Sequence, residues 1–348
     1  MSRILILSCV LISFLLGACT KKEETSSAPV SKEVNLSIWG NYLSSEMKEA
    51  FEKESGIKIN ISNYSSNEEL LAKIQAGASG IDVAVPSDYM VEVLAKMDQL
   101  EPLNMDQIPN KSQIDEKFLK QSYDPENKFS VPYTWTTAGI AVNKELYKEE
   151  IKSWKDLLAN PKLKGKFALL DDVRETMAAA LKMNGHSVNT TNEEEIKKAK
   201  AVLLKTKKDV KMFSSDTIDI LNNKEVAAAQ TYSSDALQAA AKNKNIAYIL
   251  PTEGGTVAID NLVILKGSKN KEAAHKLINF LMSEKAEQNK VSTIYGGPVL
   301  KNTKATLAED LKANKALFPE DTSKLESLKD LGDKTKLYED AWTEIKTN

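Results

Sequence analysis

The sequence predicts an α/β protein with two lobes, each a mainly parallel sheet flanked by helices, joined by strands that cross between them. Strand and helix patterns alternate at short intervals from Val34 to Val85, and this alternation is typical of a parallel sheet with helices on its faces. A second alternating unit begins at Phe167. The length of 348 residues leaves room for two such units, since a domain takes ~100–200 residues.

The first residues have the pattern of a lipoprotein signal peptide. Met1-Ser2-Arg3 precedes an apolar run over residues 4–16, which ends in Leu16-Gly17-Ala18-Cys19. A basic start, an apolar middle and small residues before a cleavage point indicate secretion, and the run is shorter than the ~20 residues that a membrane-spanning helix needs. We therefore expect a signal peptide over 1–18, a lipid on Cys19, and a mature protein held on the periplasmic or cell-surface side of a membrane.

Residues 19–33 are expected to form a flexible tether between the lipid and the folded body. They are polar and too poor in apolar side chains to offset the entropy of ordering.

The first lobe begins directly after the tether. Its expected elements are a strand over 34–38, a helix over 45–56 with Ser44 or Ser45 as cap, a strand over 57–61, a helix capped by Asn67, and a strand over 82–85.

The second lobe repeats the same kind of pattern. Its expected elements are a strand over 167–170, a helix opened by Asp171 and Asp172, a helix over 193–206 with Thr191 and Glu194 as a capping box, strands over 226–231, 246–250 and 257–265, and a helix over 271–286. Strands near 136–139 and 255–261 are expected to cross between the lobes. We expect the N-terminal lobe to comprise 34–138 with 261–303, and the C-terminal lobe to comprise 139–260 with 304–348.

Aromatic and acidic side chains follow the predicted strands, where ligands gather in open α/β sheets. Apart from Arg174, no basic residue lies among them. Such a set suits an organic cation, because carboxylates replace the lost water and ring faces add attraction. The residues are Trp39, Tyr42, Ser87, Asp88, Tyr89, Asp171, Asp172, Glu175, Ser214, Ser215, Tyr232, Ser233, Ser234 and Asp260.

Structural roles for the same residues are open alternatives. An acid before a helix caps it, and an acid in the first turn favours the helix dipole without any ligand. Aromatic residues are also common in cores and at their rims. These alternatives apply to Asp171 or Asp172 as a cap, to Glu175 as a surface acid, and to Trp39, Tyr89 and Tyr232 as core or rim rings.

Composition argues against several classes of function. Cys9 lies in the predicted signal peptide and Cys19 is the lipidation site, so the mature body has no other thiol. Only His186 and His275 are present, without a zinc-protease pattern, so neither a metal site nor a cofactor is expected. The sequence lacks a Gly-x-Ser-x-Gly elbow, and we expect no enzyme. A net charge of −2 gives no indication of nucleic-acid binding.

Several short motifs together resemble the spermidine/putrescine-binding proteins of polyamine ABC importers, from about residue 34 to 345. The resemblance implies a two-lobed periplasmic-binding-protein fold of type II that closes on its ligand, an ABC permease with its ATPase as partners, and a monomer. The motifs are Trp39-x-x-Tyr42, Phe51-x-x-Glu54-x-Gly56-Ile57-Lys58, Val85-Pro86-Ser87-x-Tyr89, Val131-Pro132-Tyr133-x-Trp135, Asp171-Asp172-x-Arg174-Glu175, Glu253-Gly254-Gly255 and Leu277-Ile278-Asn279-Phe280-Leu281.

The resemblance also implies the ligand contacts. They fall on Trp39, Tyr42, Ser87, Tyr89, Asp172, Glu175, Ser215, Tyr232 and Asp260, with Asp172, Glu175 and Asp260 pairing with amines. Tyr232 stands where the family usually has tryptophan. Ala258 replaces a pocket tryptophan, Gly296 replaces a tyrosine for which Tyr295 is a substitute, and Leu328 replaces a polar residue, usually glutamine. These departures leave the identity of the amine open.

Other functions share parts of this pattern. The same fold binds ferric iron, sugars or carboxylate solutes, although the sequence has no Tyr-Tyr pair of the kind that ferric binders present. Paired carboxylates also hydrolyse glycosides in some enzymes. A surface sensor or adhesin that uses the fold without transport is a further alternative.

Overall fold

The computed structural model of the chain describes residues 31–77 and 80–347. The predicted signal peptide over 1–18, the lipidation site Cys19 and the tether up to residue 30 lie outside the described residues. Within the described part, no helix has the length and apolar character needed to cross a bilayer.

The predicted alternation of strands and helices is confirmed. The strands are β1 (Glu33–Trp39), β2 (Lys58–Tyr64), β3 (Val83–Ala84), β4 (Leu100–Glu101), β5 (Ser130–Asn143), β6 (Phe167–Leu169), β7 (Met212–Phe213), β8 (Ala228–Tyr232), β9 (Ile246–Ile249) and β10 (Val257–Leu265). The helices are α1 (Ser45–Ser55), α2 (Asn67–Gln75), α3 (Asp88–Lys96), α4 (Trp154–Leu158), α5 (Val173–Met183), α6 (Glu193–Lys207), α7 (Thr217–Asn222), α8 (Ser233–Lys242), α9 (Lys271–Leu281), α10 (Glu284–Asn289), α11 (Thr303–Thr306), α12 (Glu309–Lys312) and α13 (Thr335–Thr347). Short 3-10 turns span Met105–Gln107, Pro109–Gln113, Glu116–Phe118, Pro161–Leu163 and Gly332–Lys334, and a π turn spans Lys290–Ile294.

The strands form one sheet in the order β2-β1-β3-β10-β5-β8-β6-β7, with β4 paired to β10 and β9 paired to β5. We call β1–β4 with β10 the first half of the sheet and β6–β9 the second half. Pairing is parallel within β2-β1-β3 and within β8-β6-β7, whereas β5 and β10 run antiparallel to their partners. The start of β5 pairs with β10 and its end pairs with β8 and β9. The crossing strand predicted near 136–139 is therefore the middle of β5.

Helix caps agree with the sequence at some positions and differ at others. Ser44 caps α1 through its hydroxyl, which accepts a hydrogen bond from the Met47 N–H at 3.2 Å. The predicted cap Asn67 is wrong: Ser66 caps α2, because the Asn67 side chain is turned to Ser87. The capping box at Thr191 is also wrong, since Asn192 caps α6.

The long helix predicted over 271–286 is two helices. It breaks after α9, and Ser283 starts α10 by accepting a hydrogen bond from the Ala286 N–H at 3.3 Å. A serine can serve as a cap in the middle of an apparently continuous helical pattern, because its hydroxyl competes for backbone donors.

A segment near the C-terminus, which we call the strap (residues 322–331), lies across the middle of the molecule. The backbone of Glu326 pairs with Gly255 and Val257 at 3.1 Å each. The Lys182 ammonium binds the Glu326 carboxylate at 2.5 Å, and Arg174 donates to the Lys329 carbonyl at 3.2 Å. These bonds hold the strap against α5 and the start of β10.

Replacing Gly254 with alanine is expected to destabilise the protein by about 2–4 kcal/mol. Gly254 has φ +86°, and an added Cβ would lie 2.1 Å from the Lys324 backbone oxygen, so backbone strain and overpacking combine. Gly185 is the matched control, because it has φ +75° with no atom within 4 Å of an added Cβ. Gly185→Ala should cost about 1 kcal/mol in denaturant unfolding, and equal losses for both variants would contradict the proposed strap contact.

Candidate ligand-binding site

All nine residues predicted as ligand contacts line one cavity between the two halves of the sheet. The cavity has a volume of about 250 Å³, smaller than the ~300–1,000 Å³ pockets that hold drug-sized molecules, so it suits a small ligand. Their role in binding remains a prediction. The nine are Trp39, Tyr42, Ser87, Tyr89, Asp172, Glu175, Ser215, Tyr232 and Asp260.

The cavity collects side chains from the ends of strands and the starts of helices. Trp39 ends β1, and Tyr232 ends β8. Ser87 precedes α3, and Asp172 precedes α5. Asp260 instead lies inside β10, where an isolated bridge joins it to Ser87. Apart from this strand, the arrangement is the one expected beyond the carboxyl ends of strands in an α/β sheet.

Aromatic rings form one wall of the cavity. The Trp39 ring lies 4.8 Å from Tyr64, 6.3 Å from Tyr42 and 6.4 Å from Tyr232, measured between centroids. The Trp39 Nε1–H donates to the Val85 carbonyl at 2.9 Å, which fixes the indole. Ring faces held in this way attract a cation by about 0.5–2 kcal/mol each.

Asp172 and Asp171 have separate roles, although they are adjacent in the sequence. Asp172 is 4% exposed and caps α5, since its Oδ1 accepts a hydrogen bond from the Glu175 N–H at 2.9 Å. It therefore acts as a cap and also lines the cavity. Asp171 points outward and pairs with Lys346 at 2.8 Å.

Glu175 is a buried cavity residue, not a surface acid. Its Oε2 accepts a hydrogen bond from Thr256 Oγ1 at 2.7 Å. Burial raises the pKa of Glu175 to about 7 against the opposing effects of Thr256 and Arg174. Burial also raises the pKa of Asp172, and the Glu68 carboxylate adds to that rise. Both acids are therefore costly to ionise without a bound cation.

Asp260 is held by a short hydrogen-bond chain. Its Oδ1 accepts a hydrogen bond from Ser87 Oγ at 2.6 Å, and Asn67 Nδ2 donates to the same Ser87 oxygen at 3.1 Å. Burial raises the pKa of Asp260 to about 6, and Ser87 and Tyr42 oppose that rise. Asn67 thus positions an acid of the cavity, which explains why it does not cap its own helix.

Four acids at or near the cavity were missed by the sequence analysis: Glu69, Asp216 and Asp235, which line it, and Glu68, which lies close by. Asp235 lines the cavity three residues after Tyr232, and burial raises its pKa to about 7. Glu68 accepts a hydrogen bond from the Tyr89 hydroxyl at 2.8 Å, and its Oε2 is buried with no hydrogen-bond partner in the described part of the chain. The helical spacing from Tyr232 to Asp235 is the signal that would have identified Asp235.

The charged side chains among the described residues that line the cavity are all acidic. Among the described residues, no lysine, arginine or histidine lines it. Arg174 lies instead against the rings of Tyr89 and Tyr338, at 5.6 and 4.9 Å from their centroids. No acidic or histidine group of the described chain has the arrangement of a metal site. The seven carboxylates that line the cavity are Glu69, Asp88, Asp172, Glu175, Asp216, Asp235 and Asp260.

The three departures from the family pattern, at positions 258, 296 and 328, lie in different surroundings. Ala258 and Leu328 line the cavity, so their apolar side chains face the ligand space. A Cβ on Gly296 would lie 2.4 Å from Thr134 Oγ1, so no larger side chain fits there. The expectation that Tyr295 substitutes is wrong, because Tyr295 packs against a separate apolar cluster that contains Val291.

Sequence comparison places the chain among known binding proteins. The profile of bacterial extracellular solute-binding proteins matches residues 46–319. A putrescine/cadaverine-binding protein of Pseudomonas aeruginosa is 33% identical over 348 residues, covering 95% of this chain and 98% of that protein. A spermidine/putrescine-binding periplasmic protein of Salmonella typhimurium is 34% identical over 314 residues, covering 88% and 90%.

Solved structures agree with the sequence comparison. PotD from Streptococcus pneumoniae, the substrate-binding protein of a spermidine/putrescine ABC transporter, is 30% identical with a TM-score of 0.75, covering 91% of this chain and 99% of that one. The TpPotD lipoprotein of Treponema pallidum is 26% identical with a TM-score of 0.80, covering 90% and 99%. The predicted two-lobed α/β fold is thereby confirmed, and the chain belongs to the family of bacterial extracellular solute-binding proteins.

Proposed function

We propose that this protein captures a polyamine outside the cytoplasm and presents it to the permease and ATPase of an ABC importer. The observation that carries the proposal is the cavity lined by seven carboxylates and an aromatic wall, with no basic side chain among its described lining residues. Such a wall replaces the water around ammonium groups with carboxylate oxygens and ring faces. The names of the similar proteins support a polyamine over iron or a sugar.

Binding is non-covalent in this proposal. Asp172, Glu175 and Asp260 pair with ammonium groups, while Trp39 and Tyr232 pack against the methylene chain and cations. Ligand binding shifts the population towards a closed form, in which one lobe (34–138 with 261–303) meets the other (139–260 with 304–348). The strand β5, shared by both halves of the sheet, serves as part of the hinge.

The proposal extends to the location of the protein. Cleavage before Cys19 and a lipid on that residue would hold a monomer near its permease. The TpPotD neighbour is described as a lipoprotein, which supports an anchored form. Mass spectrometry of the membrane fraction should find lipid on Cys19, and Cys19→Ser should move the protein to the soluble fraction.

Spermidine or putrescine is expected to raise the melting temperature of the purified folded body by about 5 °C. A ligand at 100 times its Kd adds about 2.7 kcal/mol to the free energy of unfolding, and each kcal/mol moves Tm by ~2 °C in a protein of this size. Differential scanning fluorimetry with a panel of solutes measures the shift. A shift with a sugar, ferric citrate or a carboxylate solute, and none with any polyamine, would contradict polyamine binding.

A further inference from the structure

Asp88 is an enclosed acid of the cavity that the proposed binding scheme does not use. It is the first residue of α3, is 3% exposed, and lines the cavity. One of its oxygens, Oδ1, accepts a hydrogen bond from the Tyr89 N–H at 2.9 Å. The carboxylate therefore has a fixed position, because it accepts a hydrogen bond within the first turn of α3.

A second buried acid lies next to Asp88. The bridge between Ser87 and Asp260 brings β10 against the start of α3, and Asp260 is 2% exposed. Burial raises the pKa of Asp88 to about 7, and the Asp260 charge adds to that rise against the hydrogen bond from Tyr89. Two enclosed carboxylates side by side are unfavourable unless a cation or a proton lies between them.

Part of the wall near Asp88 is apolar. Leu328 and Ala258 line the same cavity with apolar side chains. Ser327, the residue before Leu328, lies close enough to the Asp88 carboxylate to lower its pKa. Asp88 is therefore the acid at the point where the strap reaches the cavity.

We propose that Asp88 binds an ammonium group of the ligand together with Asp260, and that this pair selects ligands carrying a charged nitrogen at that position. The inference rests on the proposed polyamine function and assigns a specificity role to one residue within it. A neutral amide nitrogen at the same place leaves two buried carboxylates without a counter-charge. An uncharged or acetylated nitrogen is therefore rejected by desolvation, not by size.

The test combines one protein variant with ligands that lack one charge each. Asp88→Asn removes the negative charge and keeps an oxygen that accepts the hydrogen bond from Tyr89. The probes are spermidine, its two mono-N-acetyl isomers, and 1,8-diaminooctane, which replaces the central ammonium with a methylene. If the wild type prefers putrescine, the charge-deficient partner is N-acetylputrescine. Isothermal titration calorimetry measures each Kd at one pH and salt concentration.

The proposal expects Asp88→Asn to weaken binding of the fully charged amine by about 30-fold or more, the lower end of the loss seen when one member of a buried, hydrogen-bonded charge pair is removed. For one charge-deficient ligand, the wild type should already bind weakly, and Asp88→Asn should change its Kd less than about threefold. The charge-deficient ligand whose Kd Asp88→Asn barely changes is the one that lacks the ammonium contacted by Asp88.

Asp98→Asn is the matched control, because Asp98 is an exposed acid paired with Lys266 at the surface and should leave every Kd unchanged. Melting of the ligand-free variants checks that each one is folded. The proposal is overturned if Asp88→Asn leaves the fully charged amine unaffected, or weakens all ligands by the same factor. A wild type that binds no polyamine would overturn the proposed function itself, and this inference with it.

Discussion

Asp172→Asn is expected to weaken polyamine binding by about 30-fold or more. Asp172 is 4% exposed and lines the cavity beside Glu175, so its charge acts on the ligand with little screening by water. Removing one member of a buried, hydrogen-bonded charge pair costs about 2–5 kcal/mol, and each 1.4 kcal/mol is a factor of ten in Kd.

The substitution separates the two roles of Asp172. Asparagine caps a helix about as well as aspartate, so the bond to the Glu175 N–H is retained and α5 should remain folded. The ligand-free variant should melt at the same temperature as the wild type or higher, because a buried charge without a partner has been removed. Loss of affinity without loss of stability is therefore the expected combination.

Asp171→Asn provides the control for position and chemistry. Asp171 is one residue away, yet it lies outside the cavity and pairs with Lys346 at the surface. A surface ion pair contributes about 0–1 kcal/mol, so Kd should not change. Titration calorimetry on both variants tests the comparison, and similar losses at 171 and 172 would show that the effect comes from general charge and not from the cavity.

The sequence located the acids that follow strands, because the position of a strand end can be read from local patterns. Asp172 follows β6 and Tyr232 ends β8, and the carboxyl ends of parallel strands meet at one edge of a sheet. Asp260 lies within a strand, and its acidity in an apolar run was itself the signal. The resemblance to a known family then connected these separate positions to one ligand.

Other parts of the site depend on contacts that no local pattern contains. Glu68 lies near the cavity because Tyr89 donates to it from another helix. Leu328 reaches the cavity because the strap pairs with the start of β10 and is held by Lys182 and Arg174, residues of α5 more than a hundred positions earlier. Asn67 reads as a cap from sequence, yet it bonds to Ser87 in the fold. Tertiary contacts decide each of these outcomes, and propensity does not.

Lowering the pH from 8 to 5.5 is expected to weaken polyamine binding by at least about tenfold. Burial raises the pKa of Asp88, Glu175 and Asp235 to about 7, and that of Asp260 to about 6. Aliphatic amines stay protonated throughout this range, so the change comes from the protein. Each carboxyl that must lose its proton to bind reduces affinity tenfold per pH unit below its pKa, and titration calorimetry across the range measures the slope.

The ligand-free protein should show the opposite trend in stability over the same pH range. Because the folded pKa of these carboxyls lies above the unfolded value near 4, the folded state holds more protons between about pH 4 and 7, and stability falls as pH rises through that window. Saturating spermidine should remove this decline. Melting curves of Glu175→Gln, which lacks one of these carboxyls, should show a shallower slope without ligand. A ligand-free Tm that rises from pH 5.5 to 8 in the wild type, with no difference in the variant, would contradict an excess of uncompensated acids in the cavity.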